Sequence, residues 1–255
     1  MKVSVPYSNH QRRHTCIDIL MMLCSELGRH FRYCRKNNTN FDNCVKDGIN
    51  NLRPYYKSGL PDYGIASLDP FYAEEVTQKR SNFLFNYKLV LRNVTEAGWS
   101  VSEMTKFRSD FKNNLIQYTQ TFPDKQLKGW YEIEGNFMGT KLSNKGSWSL
   151  GLYDFVQTTT ITRTPMKDHR GKYDHHPPLK VNVNIQNSKK LELHIGHLAG
   201  GRRIVENMLD WIINSAWQPG FVVLSPLIND LVSTAFTKIM NDSFKNFPLE
   251  QIFPY

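Results

Sequence analysis

Residues 179–195 read LKVNVNIQNSKKLELHI, and this stretch shows the pattern that decides the fold. Every second residue from Leu179 to Ile185 is aliphatic, a polar turn follows at 187–188, and the alternation resumes from Leu191 to Ile195. A period of two residues predicts strands with one apolar face and one solvated face. Two such strands joined by a short turn are antiparallel.

Alternation of the same kind occurs in three segments earlier in the chain. Phe83–Leu91 alternates apolar residues with mostly polar ones, and the pattern returns in Leu127–Phe137 and in Trp148–Leu152. A run of strands without intervening helices predicts one long antiparallel meander.

Helical periodicity flanks the strands on both sides. Apolar residues recur at helical spacing over about 40–57 and again over 204–216. Pro219–Gly220 is expected to break the chain, and a last helix is predicted to begin near Ser225. Its apolar residues cover more than one stripe, so this helix must be enclosed. The predicted fold class is α+β, with a long C-terminal helix wrapped by a strongly curved antiparallel sheet.

The composition supplies apolar material for a large core or a cavity. The chain has 255 residues, of which 40% are hydrophobic and 13% aromatic, and its formal net charge is +9. No apolar run reaches the roughly 18 to 20 residues of a membrane-spanning helix. The basic residues are scattered in pairs without a nucleic-acid-binding motif, so a solvated basic surface is expected and nucleic-acid binding is not.

Common catalytic signatures do not occur in the sequence. It contains no HExxH, GxSxG or Walker motif, and the HIGH tetrapeptide at 194–197 lies on an alternating strand, where a nucleotide role is not expected. His169 and Asp174–His176 are interpreted as an exposed loop rather than a metal site. We therefore expect no enzyme activity, metal or cofactor. A hydrolase would require a serine within hydrogen-bond reach of His194 or His197.

All four cysteines lie in the first fifth of the chain. Cys16, Cys24, Cys34 and Cys44 do not show the CxxC spacing of redox or zinc motifs. The spacing of the last two permits a disulfide between a loop and the first helix, which requires an oxidising compartment.

Two further features bear on the compartment. Sequons at Asn37, Asn93 and Asn241 are candidate N-glycosylation sites. Residues 1–28 join basic residues to a short apolar run, so we expect a degenerate signal or a disordered N-terminus there, ahead of a single domain at 29–255. The sequons favour a secreted, extracellular protein only weakly, residues 1–28 make a poor secretory signal, and a cytosolic form stays open as the alternative.

Several motifs resemble those of the insect takeout and juvenile-hormone-binding family. They are YCRK at 33–36, NFDNCVK at 40–46, LRP at 52–54, GLP at 59–61, SLDP at 67–70, the segment 127–135 with Gly146 after it, and the Phe-Pro pairs at 247–248 and 253–254. The resemblance covers about residue 31 to the end.

The resemblance implies a secreted carrier of a small lipophilic ligand, with the tubular lipid-binding fold. The ligand would be a terpenoid such as juvenile hormone, or a fatty-acid-like lipid, and the role would lie in circadian, feeding or chemosensory signalling. The resemblance also implies a disulfide between Cys34 and Cys44. The absence of any later cysteine favours the takeout branch. A monomer is expected, and a receptor or membrane surface is a possible further partner.

The inward apolar positions are the candidate ligand contacts, with core packing as the alternative for each. They are Phe83, Phe85, Tyr87, Leu89, Tyr131, Ile133, Phe137, Trp148, Leu150, Val181, Val183 and Leu193 on strands, and Leu231, Ala235 and Phe236 on the last helix. Tyr87 or Tyr131 is the candidate for a hydrogen bond that orients the ligand. The rival hypothesis is a secreted interaction protein without cargo, which docks through its basic surface and has a filled interior.

Overall fold

A computed structural model gives the structure of the chain. It describes residues 26–31, 33–61, 65–81, 85–137, 140–163, 178–197, 206–207, 210–211 and 214–244. Several features named in the sequence analysis lie outside these residues: residues 1–25 with Cys16 and Cys24, Phe83, the histidine-rich segment at 169–176, and the Phe-Pro pairs at 247–248 and 253–254.

Two short helices open the described chain. Helix α1 spans Glu26–Phe31 and α2 spans Phe41–Asn51, and a 3-10 turn at Arg53–Tyr56 follows. The helix predicted over about 40–57 is therefore too long, because Pro54 has no N–H with which to continue the α-helical ladder. A small core of Phe31, Cys34, Phe41, Val45 and Leu52 holds this region together.

A disulfide joins Cys34 to Cys44, as the family resemblance implies. It ties the loop before α2 to the first turns of that helix. The loop closed by the bond spans ten positions, so the bond reduces the freedom of the unfolded chain by about 2 to 3 kcal/mol.

Within the described residues, seven antiparallel strands form one sheet. They are β1 Phe71–Ser81, β2 Phe85–Ala97, β3 Glu103–Asp110, β4 Leu115–Phe137, β5 Thr140–Arg163, β6 Leu179–Asn187 and β7 Lys190–Ile195. The antiparallel meander is confirmed. Strands β1 and β3 were not predicted, because FYAEEVTQKRS and EMTKFRSD do not show a clear alternation.

The two longest strands, β4 and β5, pair along their whole length and form the centre of the sheet. On the outer side of β4, β2 covers one half and β3 the other half. On the outer side of β5, β7 and β6 divide the length in the same way. The path β1-β2-β4-β5-β6 ends at the edge strands β1 and β6, and β3 and β7 each pair with one central strand only.

The sheet bends at the middle of its two central strands. Asp154 has φ 48°, and it lies opposite Pro123 between the pairs Phe122↔Phe155 and Asp124↔Tyr153. Leu152 and Phe155 are both buried although they are three residues apart, so the inward face changes parity at Asp154. The register of β4 and β5 is the same on both sides of this point, and β4 changes parity here too, since Phe122 and Lys125 are both buried.

A single long helix, α3, spans Trp217–Phe244. The predicted break at Pro219–Gly220 is wrong, since a proline in the first turn of a helix removes no hydrogen bond. Pro226 lies inside the helix, whereas the sequence placed it in the first turn. Ahead of α3, residues 206–207, 210–211 and 214–215 have helical backbone, as the periodicity over 204–216 predicts.

The SLDP motif has a structural role. The Asp69 carboxylate accepts hydrogen bonds from the backbone N–H of Gly98 at 3.0 Å, the N–H of Ser100 at 2.7 Å, and the Ser100 hydroxyl. Burial alone would raise the pKa of Asp69, but these bonds outweigh it and lower the pKa. Gly98 has φ 108°, a conformation that favours glycine. The motif thus fixes the turn that follows β2.

Candidate functional site

Polar side chains on successive turns of α3 bind the edge strand β6. Asn229, Ser233, Thr237 and Asn241 accept hydrogen bonds from the backbone N–H groups of Ile185, Val183, Val181 and Leu179, at 2.8 to 3.0 Å. Some of these side chains also donate hydrogen bonds to backbone carbonyls of β6, including Asn241 Nδ2 to Leu179 O at 2.8 Å and Thr237 Oγ1 to Val181 O at 3.2 Å. We call these four helix residues the edge ladder.

The edge ladder works because two repeats match. Four residues of an α-helix advance about 6.0 Å, and two residues of a strand advance about 6.6 Å. Each further turn of the helix therefore brings one side chain of the edge ladder beside the N–H and C=O groups of every second residue of β6. An unpaired strand edge invites aggregation, and here the helix satisfies it along its length.

The same helix also reaches the opposite edge of the sheet. The Asp230 carboxylate accepts a hydrogen bond of 2.6 Å from Gln78 Nε2 on β1 and forms an ion pair with Arg80. Because Asn229 binds β6 and Asp230 binds β1, one turn of α3 bridges the two edge strands. The helix therefore crosses one face of the curved sheet, and we call the space between them the interior.

The inner wall at this end of the sheet is apolar and not fully packed. Side chains on the inward face retain part of their accessible surface, although exposed polar residues alternate with them on the outside. These partly accessible inward residues are Leu89, Leu91, Ile133, Trp148, Leu150 and Leu193. Cross-strand pairs such as Leu89↔Ile133 and Leu150↔Leu193 place them side by side. We call this surface the apolar wall.

The structure places the predicted ligand contacts on these elements, to different depths. Phe85 and Phe137 face each other across β2 and β4 in the register, and their side chains are not among those described. Val181 and Val183 are only 2% and 1% exposed and lie beside the edge ladder. Leu231, Ala235 and Phe236 are partly accessible on α3. Ligand contact at these positions stays a prediction.

Both tyrosines proposed to orient a ligand already donate to the protein. Tyr131, 8% exposed, donates to the Gly196 carbonyl at 3.0 Å, and Tyr87 donates to Gln78 Oε1 at 2.9 Å. Burial raises the pKa of both hydroxyl groups. Each hydroxyl can accept a hydrogen bond from a ligand, but its own proton is used.

A solid aromatic plug borders the apolar wall. Phe122 and Phe155 are 0% and 1% exposed, and their rings lie 5.8 Å apart. Trp99 packs edge-on against Phe122, with ring centroids 5.2 Å apart, and the Phe236 ring lies 5.9 Å from Trp99. Phe236 thus contacts the plug as well as facing the interior.

A buried ion pair lies inside this plug, and no pattern in the sequence predicts it. Lys125 Nζ is 2.5 Å from Glu96 Oε1, and both side chains are less than one tenth exposed. The ammonium lies 4.0 Å from the centroid of the Phe122 ring and 4.4 Å from that of Trp99. Cation–π attraction and the carboxylate together compensate the desolvation of the ammonium.

The three sequon asparagines differ in their surroundings. Asn37 is exposed. Asn93 is exposed at a bulge with φ 51°, where its Oδ1 accepts a bond from Tyr72. Asn241 belongs to the edge ladder, and its amide nitrogen donates to two backbone carbonyls. Glycosylation at all three stays a prediction, and the ladder disfavours it at Asn241.

The hydrolase hypothesis depends on the neighbours of His194. Its Nδ1 lies 2.5 Å from Asp210 Oδ2, and Ser149 is directly opposite it in the β5–β7 ladder. Within the described residues, however, no hydrogen bond joins Ser149 to His194. The activated serine that this hypothesis requires is therefore not formed here.

A polar groove runs along the outside of α3. Its volume is about 550 Å³, and its lining includes Lys180, Asn182 and Asn184 from β6 together with residues of the edge ladder. This lining offers amides and hydroxyls rather than an apolar wall, so the groove does not suit a lipid chain. Within the described residues, no helix is both long and apolar enough to span a membrane.

A curved antiparallel sheet, closed by one long helix around an apolar wall, defines a tubular lipid-binding protein. The model of the haemolymph juvenile hormone binding protein family matches residues 15–254, and the chain belongs to this family.

Similar proteins of known sequence and structure agree with this assignment. The chain is 20% identical to the circadian clock-controlled protein daywake of Drosophila melanogaster over 211 residues, which is 78% of each chain. The daywake of Drosophila yakuba is also 20% identical, over 207 residues. The crystal structure of Epiphyas postvittana Takeout 1 matches 86% of this chain and 98% of its own, with a TM-score of 0.61 and 17% identity. This last likeness shows the fold.

Proposed function

We propose that the protein is a secreted, non-enzymatic carrier that holds one small hydrophobic molecule against the apolar wall. One observation carries the proposal. Large apolar side chains face the enclosed interior, yet keep accessible surface that close packing would remove. The proposal takes residues 29–255 as one ligand-binding unit that acts as a monomer.

The expected ligand is a terpenoid such as juvenile hormone, or a fatty-acid-like lipid. Family membership supports this class, since the family description names the binding of that hormone. Burial of about 500 Å² of apolar ligand surface contributes roughly 12 kcal/mol. Micromolar affinity requires about 8 kcal/mol, so about 4 kcal/mol is left to offset the freedom lost on binding. The wall selects by shape, and the backbone and tyrosine oxygens are available to a polar end group.

The biological setting is proposed from the relatives. Daywake is described as circadian clock-controlled, which supports a role in circadian, feeding or chemosensory signalling. The Cys34–Cys44 disulfide supports an oxidising, extracellular location.

Two substitutions on neighbouring residues of β4 test the carrier function. Ile133 faces the interior, whereas Glu134 is exposed on the opposite face. Ile133→Trp fills the space next to the apolar wall, so it should weaken binding of a fluorescent fatty-acid probe by about tenfold or more. Glu134→Trp adds the same indole outside the tube and should leave the affinity within about twofold.

Equal affinity in both variants and the native protein, at matched thermal stability, would refute binding at this wall. Absence of probe binding by the native protein would favour the cargo-free interaction protein. In a protein without cargo, the whole interior would be packed as closely as the plug around Phe122 and Phe155.

A further inference from the structure

We propose that one end of the molecule docks on an anionic lipid bilayer, through a surface formed by the loop at 33–36 and the turn at 111–112. We call this surface the basic-aromatic end. The proposal rests on the carrier function, because a carrier of lipids has to exchange its cargo with a membrane or a partner.

Two aromatic side chains are exposed at this end. Tyr33 is 76% exposed, and Phe111, at the start of the turn between β3 and β4, is 49% exposed. Rings of this size are usually covered in a soluble protein, and exposed aromatic groups mark surfaces that contact other molecules. Tyrosine and phenylalanine are also side chains that partition into the interface of a bilayer.

Four cations lie in the two segments that carry these rings. Arg35, Lys36, Arg108 and Lys112 lie in the same loop and hairpin, and Lys36 Nζ is 5.9 Å from the centroid of the Phe111 ring. The carboxylates in these segments are engaged locally. Asp42 accepts bonds from Ser109 N at 3.1 Å and Ser109 Oγ at 2.6 Å.

Asp110 is engaged in the same way, since its carboxylate accepts bonds from Asn113 N and Asn113 Nδ2. Four cations against two internally bonded carboxylates leave this end electropositive. A surface of that charge complements the negative surface of a bilayer that contains anionic lipids.

Covalent and packing contacts hold the two segments together. The Cys34–Cys44 disulfide anchors the loop to α2, and the Phe41 ring at the start of α2 lies 5.6 Å from the Phe111 ring. Asn114, with φ 51°, and the Asp110 cap fix the turn that carries Phe111. The aromatic and basic groups are therefore presented as one preformed surface, which lowers the entropy lost on docking.

The combination favours a bilayer over a soluble polyanion. A polyanion requires only the cations, whereas a bilayer takes both charge attraction at its surface and aromatic insertion between its headgroups. Each cation near the membrane should strengthen binding roughly fivefold, and the effect should weaken with added salt.

Sedimentation with vesicles tests the proposal on the full chain. Vesicles of phosphatidylcholine with about one third phosphatidylserine are compared with pure phosphatidylcholine. The native protein should bind the anionic vesicles at least about tenfold more tightly, and the Phe111→Ala/Lys112→Glu variant should lose about tenfold or more of that affinity.

The matched control is Trp130→Ala/Lys145→Glu. Trp130 is 57% exposed and lies near the exposed Lys145 on the outer face of the sheet. Trp130 is fifteen residues along β4 from Leu115, the first residue of that strand, and fifteen strand residues span up to about 50 Å. This variant should bind anionic vesicles within about twofold of the native protein. Circular dichroism and thermal unfolding establish that both variants are folded.

Three results would overturn the proposal: no preference for the anionic vesicles, equal loss in the two variants, or a loss that Lys112→Glu alone reproduces in full together with a matching loss of retention on heparin. The last result would assign this end to a soluble polyanion. The fatty-acid probe assay without vesicles separates the two proposals. Phe111→Ala/Lys112→Glu should keep the native probe affinity, so a vesicle failure alone leaves the carrier function intact.

Discussion

Thr237→Val removes one rung of the edge ladder with almost no change in side-chain shape. In the native protein, Thr237 Oγ1 accepts a hydrogen bond of 3.0 Å from Val181 N and donates one of 3.2 Å to Val181 O. Valine replaces the hydroxyl by a methyl group, so both bonds are lost. Val181 is only 2% exposed, and its N–H has little access to water as a substitute.

The expected loss of stability follows from these contacts. Each hydrogen bond contributes about 1 kcal/mol net, and a buried N–H left without an acceptor costs about 1 to 3 kcal/mol. We expect Thr237→Val to lower the free energy of unfolding by about 2 to 3 kcal/mol. Thr234→Val on the exposed side of the same helix is the control, and it should change that energy by less than about 0.5 kcal/mol.

Urea unfolding and amide hydrogen exchange measure this effect. The urea midpoint should fall for Thr237→Val at an unchanged slope, and the Val181 amide should exchange about 30-fold faster or more. If Thr237→Val and Thr234→Val unfold at the same urea concentration, the ladder does not hold α3 on β6, and the enclosure of the interior by this helix would have to be abandoned.

Three further predictions follow from contacts described above. Glu96→Gln leaves the Lys125 ammonium buried without its carboxylate, so the free energy of unfolding in urea titrations should fall by about 3 to 5 kcal/mol. Adding Lys125→Met should restore most of this loss, and a double variant as unstable as Glu96→Gln would count against the ion pair. Because its hydrogen bonds lower the pKa of Asp69 in the folded protein, this carboxylate stabilises the fold above its ordinary pKa and ceases to do so as the pH falls through the lower folded value. Asp69→Asn should therefore be less stable than the native protein at neutral pH and show a smaller decrease on acidification from about pH 5 to pH 2, whereas parallel curves would contradict this role. Glycopeptide mapping of the secreted protein should find Asn93 occupied and Asn241 bare, because a glycan on Asn241 takes an amide hydrogen that the edge ladder uses; full occupancy of Asn241 in the folded protein would be incompatible with that rung.

The antiparallel meander was predictable where burial alternates on a single strand. Leu179–Ile185 and Leu191–Ile195 each have one face toward the interior and one toward solvent, so the period of two appears directly in the sequence. β1 was missed for a physical reason. Its inward residues include Gln78 and Arg80, which are satisfied by Asp230 about 150 residues later, and no local pattern encodes that partner.

The bend of the sheet also concealed part of the pattern. At Asp154 the inward face passes from even to odd positions of β5, so a search for strict alternation ends near Leu152, although the strand continues to Arg163. The pairing with β4 continues in one register across this point, so only the alternation of burial is interrupted, not the strand.

The candidate site was predictable in its apolar part but not in its polar part. Leu89, Ile133 and Leu150 were identified by alternation alone. The edge ladder repeats every four residues and is visible in the sequence, but its acceptors and donors belong to the backbone of a distant strand. Lys125 gave no signal at all, since lysine is normally a surface residue and its burial depends on three rings that the fold assembles around it.

Native mass spectrometry tests the central claim most directly. The protein is produced through a eukaryotic secretory pathway and measured before and after extraction with organic solvent. The account predicts an adduct with the mass of one small lipid that disappears on extraction and returns when the protein is incubated with farnesoid or fatty-acid mixtures. A bare mass in every one of these samples would contradict the claim that the apolar wall holds a ligand.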